Sequence, residues 1–325
     1  MKTLMTIRAR IFRSSKRQFD CQRSDNKEMV TATALATLLK GDGHIVVGDW
    51  VELIPPPMTG QEWVIEKVIE RSNSIFRNLP RIQKKSVIAS NVDVLLVVAS
   101  AGSPAFKRGL IDRYLVRSEY WEIPAYVIFN KMDLYDKEEF DINFEAERLK
   151  WLNVECFELS ATDGEYQPQY LKQGFQTLLE KLSGKTAILL GQSGVGKSRL
   201  ITELSEGRIT LLSAETNRAN KGSHTTTWAE LIDGERFALI DSPGIRSMSL
   251  SDLTKEELIQ SFSDVQEFAT KCKFVSCNHA ENNKGCFFQT LNLEDKESQQ
   301  ILSRLDSYKR VLEEVADIPD WQKKP

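Results

Sequence analysis

The rhythm of apolar residues changes twice along this chain. From residue 1 to about 80 they come in short alternating or β-branched runs, IRARIF, HIVVGDWVELI and EWVIEKVI, separated by Gly-Asp-Gly at 41–43 and by Pro55-Pro56-Pro57. Alternation turns one face of a strand inward, so short strands with turn signals between them predict a small β domain, a barrel. Within it the GDWVEL stretch, Gly48 to Leu53, reads as a turn leading into a strand. Residues 27–40, KEMVTATALATLLK, have helical composition but weak patterning and fit neither element. From 92 to 241 apolar runs of four to eight residues alternate with helical patterns, the texture of a parallel sheet covered on both faces. Strands are predicted at 92–99, 125–130, 154–159, 186–190 and 236–241, and helices in RGLIDRYLVRSEYW, FEAERLKWL and LKQGFQTLLEKL. Beyond 248 the chain turns helical: Thr254 and Glu257 form a capping box ahead of ELIQSFSDVQEF, and Ile301, Leu305, Tyr308, Leu312 and Val315 repeat at helical steps. Three domains are expected, 1–82, 83–248 and 249–325.

The composition of the 325 residues, 41% hydrophobic and 27% charged, argues against disordered, collagen-like and disulfide-scaffold classes. No apolar run approaches the roughly 20 residues of a membrane span, and Arg8, Arg10 and Arg13 interrupt the N-terminus where an export signal needs an apolar core. A cytoplasmic monomer with no membrane partner is the expectation. The net charge of −3 conceals an asymmetry, because residues 1–90 hold 15 basic and 9 acidic side chains. No acid occurs from Met1 to Phe19 or from Arg71 to Val92, whereas Arg8, Arg10, Arg13, Lys16, Arg17, Arg71, Arg77, Arg81, Lys84 and Lys85 all fall there. Such stretches suit a nucleic-acid backbone, whose counterions are released by each cation placed against a phosphate.

Gly191-Gln192-Ser193-Gly194-Val195-Gly196-Lys197-Ser198 is a complete GxxxxGK[ST] phosphate loop between a predicted strand and a predicted helix. Glycines let backbone N–H groups curl round phosphates, Lys197 reaches the outer phosphate oxygens, and Ser198 offers a hydroxyl to Mg²⁺. Arg199, next along the helix, joins the candidate nucleotide contacts. Asn130-Lys131-Met132-Asp133 ends another strand. A carboxylate at Asp133 can accept from the ring N–H and exocyclic amine of guanine, which adenine cannot supply, so the nucleotide expected is GTP or GDP. Ser160 and Ala161 follow a third strand and suit the loop whose backbone N–H meets the guanine carbonyl. Asp241-Ser242-Pro243-Gly244 follows a fourth, with Asp241 assigned to Mg²⁺ through water and the Gly244 N–H to the γ-phosphate. Between the last two motifs lies His224-Thr225-Thr226-Thr227. Thr226, with Thr225 close behind, is the candidate to sense γ-phosphate through Mg²⁺. Ile245 stands where many GTPases place the Gln that orients water, which leaves His224 as the local candidate for that work. The order of motifs is that of a circularly permuted domain, since the base-reading pair precedes the phosphate pair.

Three of the five cysteines cluster with a histidine, Cys272-x4-Cys277-x-His279-x6-Cys286. Three thiolates and an imidazole match a closed, structural Zn²⁺ site.

These motifs together resemble the ribosome small-subunit-dependent GTPase A family (RsgA, also called YjeQ), over essentially the whole chain. The resemblance implies an α/β fold: a circularly permuted P-loop GTPase domain between an N-terminal OB-type β-barrel and a C-terminal helical zinc-binding domain. It also implies binding to the small ribosomal subunit and its rRNA late in maturation, GTP hydrolysis in response, release of assembly factors, and a role for His224 in hydrolysis. Ser223 stands where the family often has Arg, and residues 14–40 match it poorly.

Overall fold

A computed structural model describes residues 6–15, 17–38, 44–58, 61–79, 84–205, 207, 229–241, 249–280 and 283–316. At the N-terminus β1 (Ile7–Ser14), β2 (Phe19–Arg23), β3 (Met29–Ala34), β4 (Trp50–Ile54) and β5 (Trp63–Val68) pair in the order β1-β2-β3-β5-β4, and β4 returns to β1. That closure makes a five-stranded barrel of the OB type, with β3 and β5 parallel and its other pairs antiparallel. Inward positions at alternating steps, Ala9, Ile11, Phe19, Cys21, Ala32, Val51, Leu53 and Ile65, fill it. The segment that fitted no element contributes β3, whose Ala32 is fully buried.

The GDWVEL turn holds the barrel to the neighbouring hairpin. Gly48 has φ +91°, and a Cβ there would sit 2.1 Å from the Ser90 carbonyl oxygen, so only glycine permits the approach. Asp49, fully buried, accepts from Arg71 at 2.6 and 2.8 Å, from the Ser90 hydroxyl at 2.6 Å and from the Val46 N–H at 2.8 Å. The hairpin, β6 (Ser74–Leu79) and β7 (Lys84–Ser90), pairs with itself and leans on the next helix: Trp121 Nε1 donates to the Phe76 carbonyl at 3.1 Å. The expected boundary between 82 and 83 lies between these two strands.

The second layer is a six-stranded region of sheet, joined to β1 of the barrel at Arg13. Its strands β8 (Val94–Ser100), β9 (Ala125–Asn130), β10 (Glu155–Glu158), β11 (Thr186–Leu190), β12 (Glu230–Asp233) and β13 (Ala238–Asp241) run in the order β10-β9-β8-β11-β13-β12. All neighbours are parallel except β12. Strands buried on both faces carry continuous apolar runs: in β8, Leu95 and Val97 join the core beneath α1 (Arg108–Trp121) and α2 (Ile142–Lys150). Val94, Leu96 and Val98 join the opposite core, under α3 (Phe175–Leu182) and α4 (Lys197–Leu204).

The C-terminal module packs α5 (Lys255–Gln260), α6 (Ser263–Ala269) and α7 (Lys296–Ala316) around Leu258, Phe262, Val265, Phe288, Ile301 and Leu305. Thr254 caps α5 with the expected box. The stretch ELIQSFSDVQEF that follows the box forms two helices: the Ser261 hydroxyl turns back to the Glu257 carbonyl at 2.7 Å and the chain bends at Phe262. Val116 of α1 belongs to this core. Among the described residues no helix is long and apolar enough to cross a membrane.

Candidate functional site

The parallel strands β9, β10, β11 and β13 all end at one edge of the sheet, so motifs far apart in the chain converge there. The phosphate loop leaves β11 through Gly191, at φ +152°, where a Cβ would lie 2.5 Å from the Val98 carbonyl oxygen. It enters α4 through Gly196, at φ +95°, where a Cβ would lie 2.4 Å from Asn130 Nδ2. Gly196 caps α4 with no side-chain hydrogen bond, and the positive end of a helix placed at the loop suits an anion. Val195 is buried under α4 and anchors the loop by packing, while Ser193, Gly194, Ser198 and Arg199 are exposed and Gln192 is half-buried. The Lys197 ammonium arches back over the loop to the Gly191 and Gln192 carbonyls, each at 2.8 Å.

Asn130 ties this loop to the base-side loops. Its Nδ2 donates to the Val195 carbonyl at 2.9 Å and its Oδ1 accepts from the Ala161 N–H at 2.9 Å. Lys131 donates to the Gly194 carbonyl at 2.7 Å and to the Ser103 carbonyl. Met132 is buried, its N–H bonded to the Leu159 carbonyl at 3.2 Å. Asp133 is exposed and accepts from the Ser160 hydroxyl at 2.5 Å, which itself lies 3.2 Å from Thr162 Oγ1. Arg199 Nε donates to the Ala161 carbonyl at 3.1 Å. Asp241 ends β13, half-buried, on the same cleft as Lys197 and Ser198. His224, Thr225, Thr226, Gly244 and Ile245 lie outside the described residues.

The far wall of the cleft carries residues that no motif announces. Lys107, Arg108 and Arg113 line it from the start of α1, and Arg310 from α7. Tyr114 of α1 hydrogen-bonds the Gly191 backbone; burial pushes its phenol up and that bond opposes the shift. In sequence these side chains sit within ordinary amphipathic helices, and only the fold turns them toward the phosphate loop. The same α1 grips the chain that emerges after the Asp241 loop: Arg117 donates to the Ser249 carbonyl at 2.6 Å and to Asp252. Glu314 of α7 pairs with Arg113 at 2.5 Å and accepts from the Leu250 N–H at 3.4 Å.

In the C-terminal module the ligand atoms of Cys272, Cys277, His279 and Cys286 lie within 4.8 Å of one another. His279 Nδ1 is 3.6 Å from the Cys272 sulfur and 3.7 Å from the Cys286 sulfur. Metal–sulfur bonds of about 2.3 Å and metal–nitrogen bonds of about 2.0 Å give a tetrahedron with sulfur–nitrogen edges of about 3.6 Å, so the donor set fits such an ion. The Phe287 N–H and Asn283 Nδ2 point at the Cys272 and Cys277 sulfurs, each at 3.3 Å, as donors to thiolates would. Cys21 and Cys156 stand apart from this cluster and are buried, their thiols pushed up to about 12 by burial.

Comparison with known proteins places these features in a family. The family model described as RsgA GTPase matches residues 68–251. A small ribosomal subunit biogenesis GTPase RsgA from Christiangramia forsetii is 32% identical over 284 residues, which cover 86% of this chain and 86% of that relative. The crystal structure of YjeQ from Thermotoga maritima superposes with a TM-score of 0.72 at 26% identity, over 97% of this chain and 100% of the other. The structure of YloQ, described as a circularly permuted GTPase, gives 0.70 at 25% identity over 98% and 99%.

Proposed function

The chain belongs to the RsgA GTPase family, and as a GTP hydrolase of ribosome biogenesis we propose that it binds the small ribosomal subunit late in maturation and couples hydrolysis to its grip on rRNA. The observation that carries the coupling is the fixing of residues 249–252 by Arg117 and Glu314, immediately beyond the loop that Asp241 begins. Permutation sends the chain from that loop straight into the C-terminal module, so a change at the γ-phosphate reaches α5–α7 along a tethered segment.

In this reading Asp133, Ser160 and Ala161 hold the guanine, with Asn130 and Lys131 keeping the base and phosphate loops in register. Gly191 to Gly196 present backbone N–H groups to the phosphates, and Lys197 leaves the loop carbonyls for phosphate oxygens. Ser198 and Thr226 hold Mg²⁺, with Asp241 behind water; bound there, the ion would neutralise phosphate charge. Thr225 and Gly244 face the γ-phosphate, and His224 orients the attacking water in place of the Gln that Ile245 replaces. Cys272, Cys277, His279 and Cys286 hold one structural Zn²⁺, and the protein acts as a monomer.

The rRNA platform in this reading is narrower than charge alone suggested. Arg10 is turned into the junction of barrel and sheet, where its guanidinium bonds the Asn91 carbonyl at 3.2 Å and burial pulls its pKa down against the fields of Asp93 and Asp233. Arg13 pairs with Glu230 of β12. Arg71 is committed to Asp49. Arg8, stacked at 4.3 Å on Trp50, and Lys85, at 4.4 Å on Phe76, remain exposed and supply the platform. Affinity for purified small subunits, measured with a nonhydrolysable GTP analogue and with GDP, tests the coupling: the two values differ if it operates and coincide if it does not.

A further inference from the structure

The loop Ser160-Ala161-Thr162 is short and irregular, yet it is held from three sides. Asn130 Oδ1 takes the Ala161 N–H at 2.9 Å, Asp133 takes the Ser160 hydroxyl at 2.5 Å, and Arg199 Nε donates to the Ala161 carbonyl at 3.1 Å. The first two holds come from the strand-end motif that reads the base. The third comes from the phosphate-binding helix, whose first turn is Lys197, Ser198 and Arg199. A second nitrogen of the guanidinium pairs with Glu203, one turn along α4, at 2.8 Å. Arg199 is half exposed, at 56%, and lines the cleft, so packing does not fix it. Its place is set by these two polar contacts.

We propose that Arg199 is a specificity-determining positioning residue: by holding the Ala161 carbonyl it fixes the loop whose backbone N–H groups, that of Ala161 turning from Asn130 Oδ1 when nucleotide binds, read the carbonyl oxygen at position 6 of guanine. This rests on the guanine-binding reading above. A purine with that oxygen profits from the fixed loop, and adenine, which carries an amino group there, does not. Arg199 therefore raises selectivity for 6-oxopurines, whereas the 2-amino group of guanine is read separately by Asp133.

The test is binding of GDP, IDP and ADP to the full-length chain and to two variants. Arg199→Ala removes the Nε–H and the charge. Arg199→Gln places an amide nitrogen at the same number of bonds from Cα as arginine's Nε, so it keeps a donor for the Ala161 carbonyl without the charge. The expected result is that Arg199→Ala weakens GDP and IDP together by about 5- to 10-fold, the value of one hydrogen bond, and leaves ADP unchanged, while Arg199→Gln restores most of the GDP-to-ADP ratio. Equal losses for all three nucleotides in both variants would overturn the proposal in favour of a simple charge contact with phosphate, as would no loss for any. Tight, selective binding of GDP by the unsubstituted chain is the control for the guanine reading itself, so its failure would be seen separately. Thermal unfolding of the variants, expected unchanged for so exposed a side chain, separates a selectivity effect from a folding one.

Discussion

Arg304 of α7 and Asp112 of α1, 192 residues apart in the chain, meet at 2.7 Å with both side chains shut away from water. Asp112 also receives Arg148 of α2 at 2.7 Å and the Ser307 hydroxyl at 2.5 Å, and Arg304 reaches on to Asp264 of α6 at 2.6 Å. The network joins the GTPase sheet's helices to the C-terminal module at its centre. Burial of charge is costly, and it is offset here because the arginines and carboxylates meet in close, hydrogen-bonded geometry. Removing one member leaves its partner charged and unpaired. Arg304→Ala should therefore cost about 3–5 kcal/mol of unfolding free energy, measurable by denaturant titration, and a loss below about 1 kcal/mol would mean the module docks by its apolar core alone.

The same network sets a pH dependence. Burial would raise the Asp112 carboxyl, but Arg304, Arg148 and the Ser307 hydroxyl outweigh it and hold the group below its ordinary value. A carboxyl depressed in the folded state contributes stability that is complete above the unfolded value near 4 and is lost as pH falls through the folded one. The expected outcome is an acid limb in the stability curve below about pH 4 that is reduced in Asp112→Asn. An identical limb in that variant would assign the acid sensitivity elsewhere.

Gly196→Ala should disable nucleotide binding without unfolding the chain. The added methyl would fall 2.4 Å from Asn130 Nδ2 at a left-handed φ of +95°, displacing the amide that joins the phosphate loop to Ala161. Strain of about 1–3 kcal/mol corresponds to a loss of GDP affinity of roughly 5- to 150-fold, readable with a fluorescent GDP analogue. Unaltered affinity would show that this register is dispensable.

Metal removal should loosen the C-terminal module selectively. Cys272, Cys277 and Cys286 pack against its core, and the loop between them is too polar to fold by burial. Elemental analysis should find one zinc per chain. A strong chelator, or Cys286→Ser, should lower the melting temperature while GDP still binds; full stability in the metal-free protein would refute a structural ion.

Charge reversal separates the two classes of basic residue. Arg8→Glu with Lys85→Glu should weaken small-subunit binding and flatten its salt dependence by about one unit of slope per lost phosphate contact, leaving GDP affinity intact. Arg10→Ala should instead lower stability, because its guanidinium bridges barrel and sheet at the Asn91 carbonyl. A steep, unaltered salt slope in the double variant would remove the proposed platform.

What was legible in the sequence was what local pattern controls. The strands ending at Asn130, Leu190 and Asp241 are apolar runs bounded by loop residues, so their ends, and the motifs placed there, could be read directly. The Cys-His spacing likewise located residues that meet within 4.8 Å. Elements whose identity depends on distant partners were not legible. Met29–Ala34 is a strand because β2 and β5 flank it, against its helix-forming composition. Arg10 read as a free cation because Asn91, Asp93 and Asp233, which surround it, lie far along the chain. Asp112, Arg148 and Arg304 carried no signal in the sequence for the same reason, since only the packing of α1, α2 and α7 brings them together.

The most direct test of the account is steady-state phosphate release from GTP, titrated with purified small subunits and, in parallel, with large subunits. Release should be slow for the protein alone, rise saturably with small subunits, and stay at its basal rate with large ones. A rate indifferent to small subunits, or raised equally by both particles, would contradict the proposed coupling of guanine-nucleotide hydrolysis to the maturing small subunit.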